Sequence, residues 1–269
     1  MRRMTRITAV AAAALMVLGL AACGDDSDDA TTTTTAADAT TTTPAADGAA
    51  ASGDSAAFCD ALKEFNAAVQ SVELTPSSTA EDIKAAGSKL VPIFQTIADN
   101  APDHVADAAE ELNATVAPLA TGDATAFNDD ATYEKYGKFV TASLGDCEFE
   151  TVDVTAKDYA FDAPDSVKAG DVAFHMTNAS TGEQHEMVVL RKNDGVDLSF
   201  DELLQMPQDQ AEAKTTYVGS AMAPPGGDNS ALVTLEPGSY AMVCFLPMGG
   251  KEGAPPHFTQ GMVHEFTVE

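Results

Sequence analysis

Positive charge is scarce in this chain of 269 residues: 14 Lys and Arg stand against 42 Asp and Glu, for a formal net charge of −28. Phosphate backbones are bound by Lys and Arg, so the balance argues against a nucleic-acid partner. It suits a soluble, self-repelling domain held off a membrane surface; an acidic face can attract a basic partner, but acid-rich surfaces are usually just solvation. Catalytic constellations are lacking too. No Ser/His/Asp set and no pair of carboxylates stands out, which argues against an enzyme. The apolar run near the start, residues 7–20, is too short and wrongly flanked for a permanent membrane span.

What is present begins with a leader. Arg2, Arg3 and Arg6 precede the Ala-rich apolar run, so residues 1–22 read as a secretion signal. Its end, Leu20-Ala21-Ala22-Cys23, resembles the lipobox of bacterial lipoproteins. The resemblance implies cleavage before Cys23, lipidation of its thiol and a place on the outer face of the cell membrane. Loss of three Arg and no acid takes the formal charge from −28 to about −31. Residues 23–55 are Ala, Thr and Asp of low complexity, without basic or aromatic side chains. Such a stretch buries too little to offset its ordering entropy and reads as a disordered tether.

The chain has four Cys, and the leader implies an oxidising compartment. With Cys23 assigned to lipid, Cys59 and Cys147 flank a helical region and look like a disulfide pair. Cys244 is left over. An odd exported Cys is either a reactive thiol or a ligand.

Residues 56–147 read as a small antiparallel four-helix unit. Phe58, Leu62, Phe65 and Val69 recur at helical spacing. Ser78 and Glu81 resemble a capping box before a second helix, in which Pro92 should kink the run or end a turn. A third helix starts at Pro102-Asp103, and a fourth runs from about Asp123 to Leu144. His104 reads as a solvated surface residue. From residue 148 to 269 the pattern changes to short β segments at 150–155, 158–162, 171–178, 185–191, 231–235, 239–246 and 262–268, with a short helix at 199–204. Val172, Phe174 and Met176 alternate with Ala173, His175 and Thr177, which puts His175 on the surface side. The fold class is α + β multidomain, a helical bundle followed by a Greek-key β-sandwich.

Within the sandwich, Phe174, Asn178 and then Gln184-His185-Glu186 resemble the first ligand strand of cupredoxins: an aromatic, an Asn turn, then His opening an apolar strand. Pro237-Gly238-Ser239-Tyr240 leading into Cys244 resembles that family's second ligand strand. His257 and Met262 keep its His-x4-Met spacing. The resemblance is to the plastocyanin/azurin group. It implies one copper ion of type 1, with His185, Cys244 and His257 as equatorial ligands and Met262 as the weak axial one. Thiolate and thioether favour copper, and imidazole accepts either oxidation state. Twelve residues, 245–256, separate Cys244 from His257, where the family usually places only a few. Such an insert, with Gly249, Gly250 and Gly253 to loop it outward, should change the wall and exposure of the site. His264 shares a face with Met262 and reads as a satisfied inward His.

The implied function is a membrane-anchored, extracytoplasmic copper protein that carries single electrons, with an unidentified redox or copper-delivery protein as partner. A copper chaperone or buffer is one alternative, and a metal-free cupredoxin-like binding module is another. Five His in the whole chain cannot furnish the His-rich cluster of a multicopper oxidase.

Overall fold

Apolar residues three and four apart shape the first half of the structure, a computed structural model that describes residues 55–72, 74, 78–127 and 129–269. The expected leader (1–22), Cys23 and the tether up to residue 54 lie outside the described residues. Phe58, Leu62 and Phe65 bury one face of α1 (Ser55–Gln70). Leu90, Phe94 and Ile97 do the same for α2 (Ala80–Asn100). The capping box of α2 is one residue later than Ser78–Glu81. Thr79 Oγ1 accepts the Asp82 N–H at 3.2 Å, and the Thr79 N–H donates to Asp82 Oδ2 at 2.8 Å. Pro92 does not end the helix, which runs on to Asn100. Burial of Leu90 before it and of Phe94 and Ile97 after it holds the two turns together.

Helix α3 (Ala106–Val116) buries Ala109, Leu112 and Val116, and a 3-10 turn, Ala117–Thr121, follows it. Helix α4 (Asp130–Ser143) starts later than expected. Asp123 instead closes a turn, its Oδ1 accepting the Thr125 N–H at 2.9 Å. Aromatic rings fill the centre, with Phe65 and Phe94 at 4.8 Å and Phe58 and Phe139 at 6.1 Å between centroids. A Cys59–Cys147 disulfide ties α1 to the segment beyond α4. Among the described residues no helix is long and apolar enough to cross a membrane.

Nine strands follow: β1 (Glu150–Lys157), β2 (Ala160–Asp162), β3 (Ser166–Val167), β4 (Gly170–Asn178), β5 (His185–Lys192), β6 (Thr215–Ala223), β7 (Asp228–Leu235), β8 (Gly238–Val243) and β9 (Val263–Val268). Two short helices, α5 (Phe200–Leu204) and α6 (Gln208–Glu212), lie between β5 and β6. One sheet has the order β2-β1-β4-β7 and the other β3-β9-β8-β5-β6. The chain passes from β4 across to the β5–β6 hairpin, back to β7 beside β4, then across again to β8 beside β5. Val172, Phe174 and Met176 point into the core between the sheets, as their alternation requires.

Strand β6 is absent from the sequence-based reading. Its centre is Gly219, where a Cβ would come within 2.6 Å of Val233 Cγ1. Glycine is a poor strand former, and here close approach of the other sheet selects it.

Both sheets are covered outside. Ala173 of β4 and Leu232 of β7 belong to the helical core, whereas Phe200 and Leu203 of α5 pack on Ala241 and Val243 of β8. The helices also bond the strands directly. Thr141 Oγ1 donates to Ser230 Oγ at 2.8 Å, and Gln70 Nε2 donates to the Val218 carbonyl at 2.9 Å. His175 is partly covered by this packing rather than open on the surface, with Nδ1 3.1 Å from Ser230 Oγ.

Gly137 of α4 carries the closest approach, because a Cβ there would collide with the Asn229 side chain. Asn229 cannot swing aside freely: its Nδ2 donates to the Met222 carbonyl at 2.8 Å. Gly137→Ala therefore sets a helix-propensity gain of up to ~1 kcal/mol against an overpacking loss of about 1–3 kcal/mol. The expected net result is a lower melting temperature, and an unchanged or higher one contradicts this packing. Reduction of Cys59–Cys147 should cost about 2–5 kcal/mol, read as a lower urea midpoint with reductant than without.

Candidate metal centre

The four residues singled out in the sequence come from three segments that main-chain hydrogen bonds weave together. His185 is the first residue of β5. The loop ahead of it is fixed by Asn178, fully buried at the end of β4. Asn178 Nδ2 donates to the carbonyls of Glu183 and Ala223 at 2.9 Å each, and Oδ1 accepts the Ser180 N–H at 2.9 Å. Cys244 directly follows β8. Its N–H donates to the Met262 carbonyl at 3.2 Å and its carbonyl accepts the Phe258 N–H at 2.9 Å. His257 opens the 3-10 turn His257–Gln260. Its N–H donates to the Leu246 carbonyl at 2.9 Å, and its carbonyl accepts the Met262 N–H at 3.3 Å.

The insert does not separate the donors. Pro247 and Pro256 form an antiparallel bridge, and the Met248 N–H donates to the Pro255 carbonyl at 3.0 Å. The extra residues project beyond that bridge, so His257 returns beside Cys244.

His185, Cys244, His257 and Met262 all have zero exposure. The insert therefore leaves the site closed rather than opened. One ligand atom from each of His185, Cys244 and His257 lies within 4.8 Å of the others. His257 Nδ1 is 3.2 Å from His185 Nδ1 and 3.3 Å from Cys244 Sγ. Met262 lies with Cys244 in the inter-sheet core, and the Glu186 N–H donates to Cys244 Sγ at 3.4 Å.

The outer edges of the imidazoles face acids. His257 Nε2 is 3.5 Å from Glu183 Oε2 and His185 Nε2 is 3.8 Å from Asp158 Oδ1. Tyr159, held at φ 61°, sets its ring edge against His257 with 5.2 Å between centroids. His264 is not part of the group. Its Nε2 lies 3.1 Å from the Pro164 carbonyl, the satisfied role expected of it. His104 is exposed as expected, with Nε2 3.2 Å from Asp146 Oδ2.

Burial governs the protonation states. It pushes the Cys244 thiol up to about 12. It also holds His185 below the ordinary imidazole value, with the charge of His257 acting in the same direction. Burial lowers His257 as well, against the opposing pull of Glu183.

This donor set fits a soft or borderline cation. A proton on each outward Nε2 would leave His257 Nδ1 free beside Cys244 Sγ and His185 Nδ1 free 3.2 Å from His257 Nδ1, and no side-chain carboxylate joins the inner group. Hard cations that require oxygen ligands are poorly matched, whereas thiolate, thioether and imidazole suit copper. The cluster of His185, Cys244, His257 and Met262 is consistent with a type 1 copper site. Asn178, the Asn turn of the ligand-strand motif, supports it, and so do Asp158, Tyr159 and Glu183, which the sequence did not single out. Glu183 and Asp158 carry no local signal, because their role depends on residues far away in the chain.

No family model and no curated protein matches the chain. Among solved structures it is similar to reduced auracyanin from the photosynthetic bacterium Roseiflexus castenholzii, at 24% identity over 44% of this chain and 96% of that one, with a TM-score of 0.31. It is similar to auracyanin A, a "blue" copper protein from the green thermophilic bacterium Chloroflexus aurantiacus, at 17% identity over 44% of this chain and 98% of that one, with a TM-score of 0.29. Rusticyanin from Thiobacillus ferrooxidans is 16% identical over 45% of this chain and 78% of its own, with a TM-score of 0.30.

The buried groups set a pH optimum for the metal-free protein. The unfolded chain takes up protons on its His near pH 6.5, while folded His185 and His257 resist until lower pH. Stability should therefore fall as pH drops below about 6.5. The thiol has the opposite sign. Unfolded Cys244 ionises near pH 8.5 and the folded thiol only near 12, so stability is lost as pH rises above about 8.5. Urea midpoints from pH 5 to 10 should pass through a maximum, with the alkaline limb flattened in Cys244→Ser. A steady rise across that range contradicts the burial of these groups.

Proposed function

We propose that this chain is a cupredoxin-type copper protein that passes single electrons outside the cytoplasmic membrane, held there through lipidated Cys23. The observation that carries the copper reading is the convergence of His185 Nδ1, His257 Nδ1 and Cys244 Sγ inside a dry core. Copper, when bound, alternates between its two oxidation states and so takes up or gives up one electron. His185, Cys244, His257 and Met262 would hold it, the thiolate and thioether supplying the soft donors that suit copper. The two sheets and the cross-linked main chain around Cys244 keep the donors in one arrangement, which lowers the reorganisation that electron exchange demands. Complete burial excludes water from the inner donors.

The same burial favours electron transfer over copper delivery, since a carrier that hands over its ion needs an open ligand edge. The leader and lipobox-like Cys23 support the membrane location, and the Cys59–Cys147 disulfide fits an oxidising compartment. The acid excess suits a basic protein partner.

Titration of the full chain with Cu(II) tests this reading. It should produce an intense visible thiolate-to-copper band that saturates at one ion and is lost in Cys244→Ser. Zinc, which also accepts Cys and His, should compete without colour. The thiol is protonated and both imidazoles are neutral at pH 7, so uptake should release about one proton per ion. A protein that stays colourless and binds copper equally well as Cys244→Ser defeats the type 1 reading.

A further inference from the structure

Glu183 touches both the ligand His257 and the long insert. Its carboxylate accepts the Gly249 N–H through both oxygens, at 3.1 Å each, and Oε2 stands 3.5 Å from His257 Nε2. The base of the side chain is fixed. The Glu183 carbonyl accepts from Asn178 Nδ2 at 2.9 Å, and the Glu183 N–H donates to Ser180 Oγ at 2.9 Å. Asn178 and Ser180 are themselves buried. Gly249 lies in the 3-10 turn Met248–Gly250 at φ 63°, a backbone state that favours glycine. Two groups far from Glu183 in sequence thus share its anchored carboxylate. His257 Nε2 is buried and has no hydrogen-bond partner within bonding geometry, so the acid 3.5 Å away is the group toward which a proton on Nε2 is drawn. That proton leaves Nδ1, the atom beside Cys244 Sγ, with a free lone pair. Carboxylates commonly orient metal-binding imidazoles in this manner. Here the same acid also ties the insert to the outer edge of His257.

We propose that Glu183 is a positioning residue of the metal centre, selecting the His257 tautomer whose Nδ1 faces inward and latching residues 245–256 beside His257 through the Gly249 N–H. The proposal rests on the copper reading for its purpose, but not for its geometry, which belongs to the metal-free protein. By contrast Asp158, at 3.8 Å from His185 Nε2, is more exposed than Glu183 and takes no part in such a latch.

The test compares the full chain with Glu183→Ala and Glu183→Gln, first without metal. Long-range proton–nitrogen spectra should show His257 protonated on Nε2 in the parent. Hydrogen exchange should show the Gly249 amide protected. Glu183→Ala should lose both features. Glu183→Gln keeps a single acceptor oxygen and should be intermediate; as the near-isosteric variant it decides the matter if Glu183→Ala does not fold. With copper added, Glu183→Ala should lose about 10- to 100-fold in affinity in a chelator competition. Its reduction potential should rise, because a nearby negative charge favours the oxidised ion. Unchanged tautomer, amide exchange and copper affinity in both variants overturn the proposal and leave the copper reading intact. A parent that binds no copper overturns the copper reading, while the tautomer and exchange results still decide the role of Glu183.

Discussion

Burying Cys244, His185 and His257 with their donor atoms inside 4.8 Å is the constraint on which the rest of this structure depends. Three polar groups in a dry core lose their hydration and must be held by something else. The surrounding main chain provides the frame. Cys244 is bonded to Met262 and Phe258, His257 to Leu246 and Met262, and the approach to His185 to Asn178. A thiol raised to about 12 is an inert hydrophobe when alone and a ligand when a cation displaces its proton. The frame therefore costs stability in the metal-free state at both pH extremes and recovers it when an ion satisfies the donors.

The helical region acts on this frame from outside. It buries Ala173 and Leu232 on the outer face of one sheet, a face that would otherwise be apolar and open. Its α4 also meets β6, where the Tyr133 hydroxyl lies 2.6 Å from that of Tyr217 and 3.0 Å from Ser220 Oγ. Strand β6 pairs with β5, which begins at His185. Packing of the helices thus supports the strand that carries one donor, although no helix residue belongs to the donor group.

The strongest sequence signals were periodic or chemical. Phe58, Leu62 and Phe65 announced a helix, and Val172, Phe174 and Met176 a strand, because each pattern repeats within one element. Cys244, His257 and Met262 announced a site because their types, order and His-x4-Met spacing resemble the cupredoxin pattern. What escaped the sequence depends on partners elsewhere. Gly219 looks like a strand breaker until Val233 is seen against it, and Gly137 is an ordinary helix glycine until Asn229 fills its space. The insert at 245–256 looked foreign by length, since length does not reveal the Pro247–Pro256 bridge that closes its foot. Glu183 has no signature at all, because Gly249 and His257 are 66 and 74 positions away.

The central claim is that these particular atoms hold one copper ion. X-ray absorption on the full chain loaded with a single equivalent of copper tests it most directly. One short copper–sulfur contact and two imidazole nitrogens, with the sulfur contact missing in Cys244→Ser, is the result predicted. Copper surrounded only by nitrogen and oxygen, unchanged by that substitution, would contradict it.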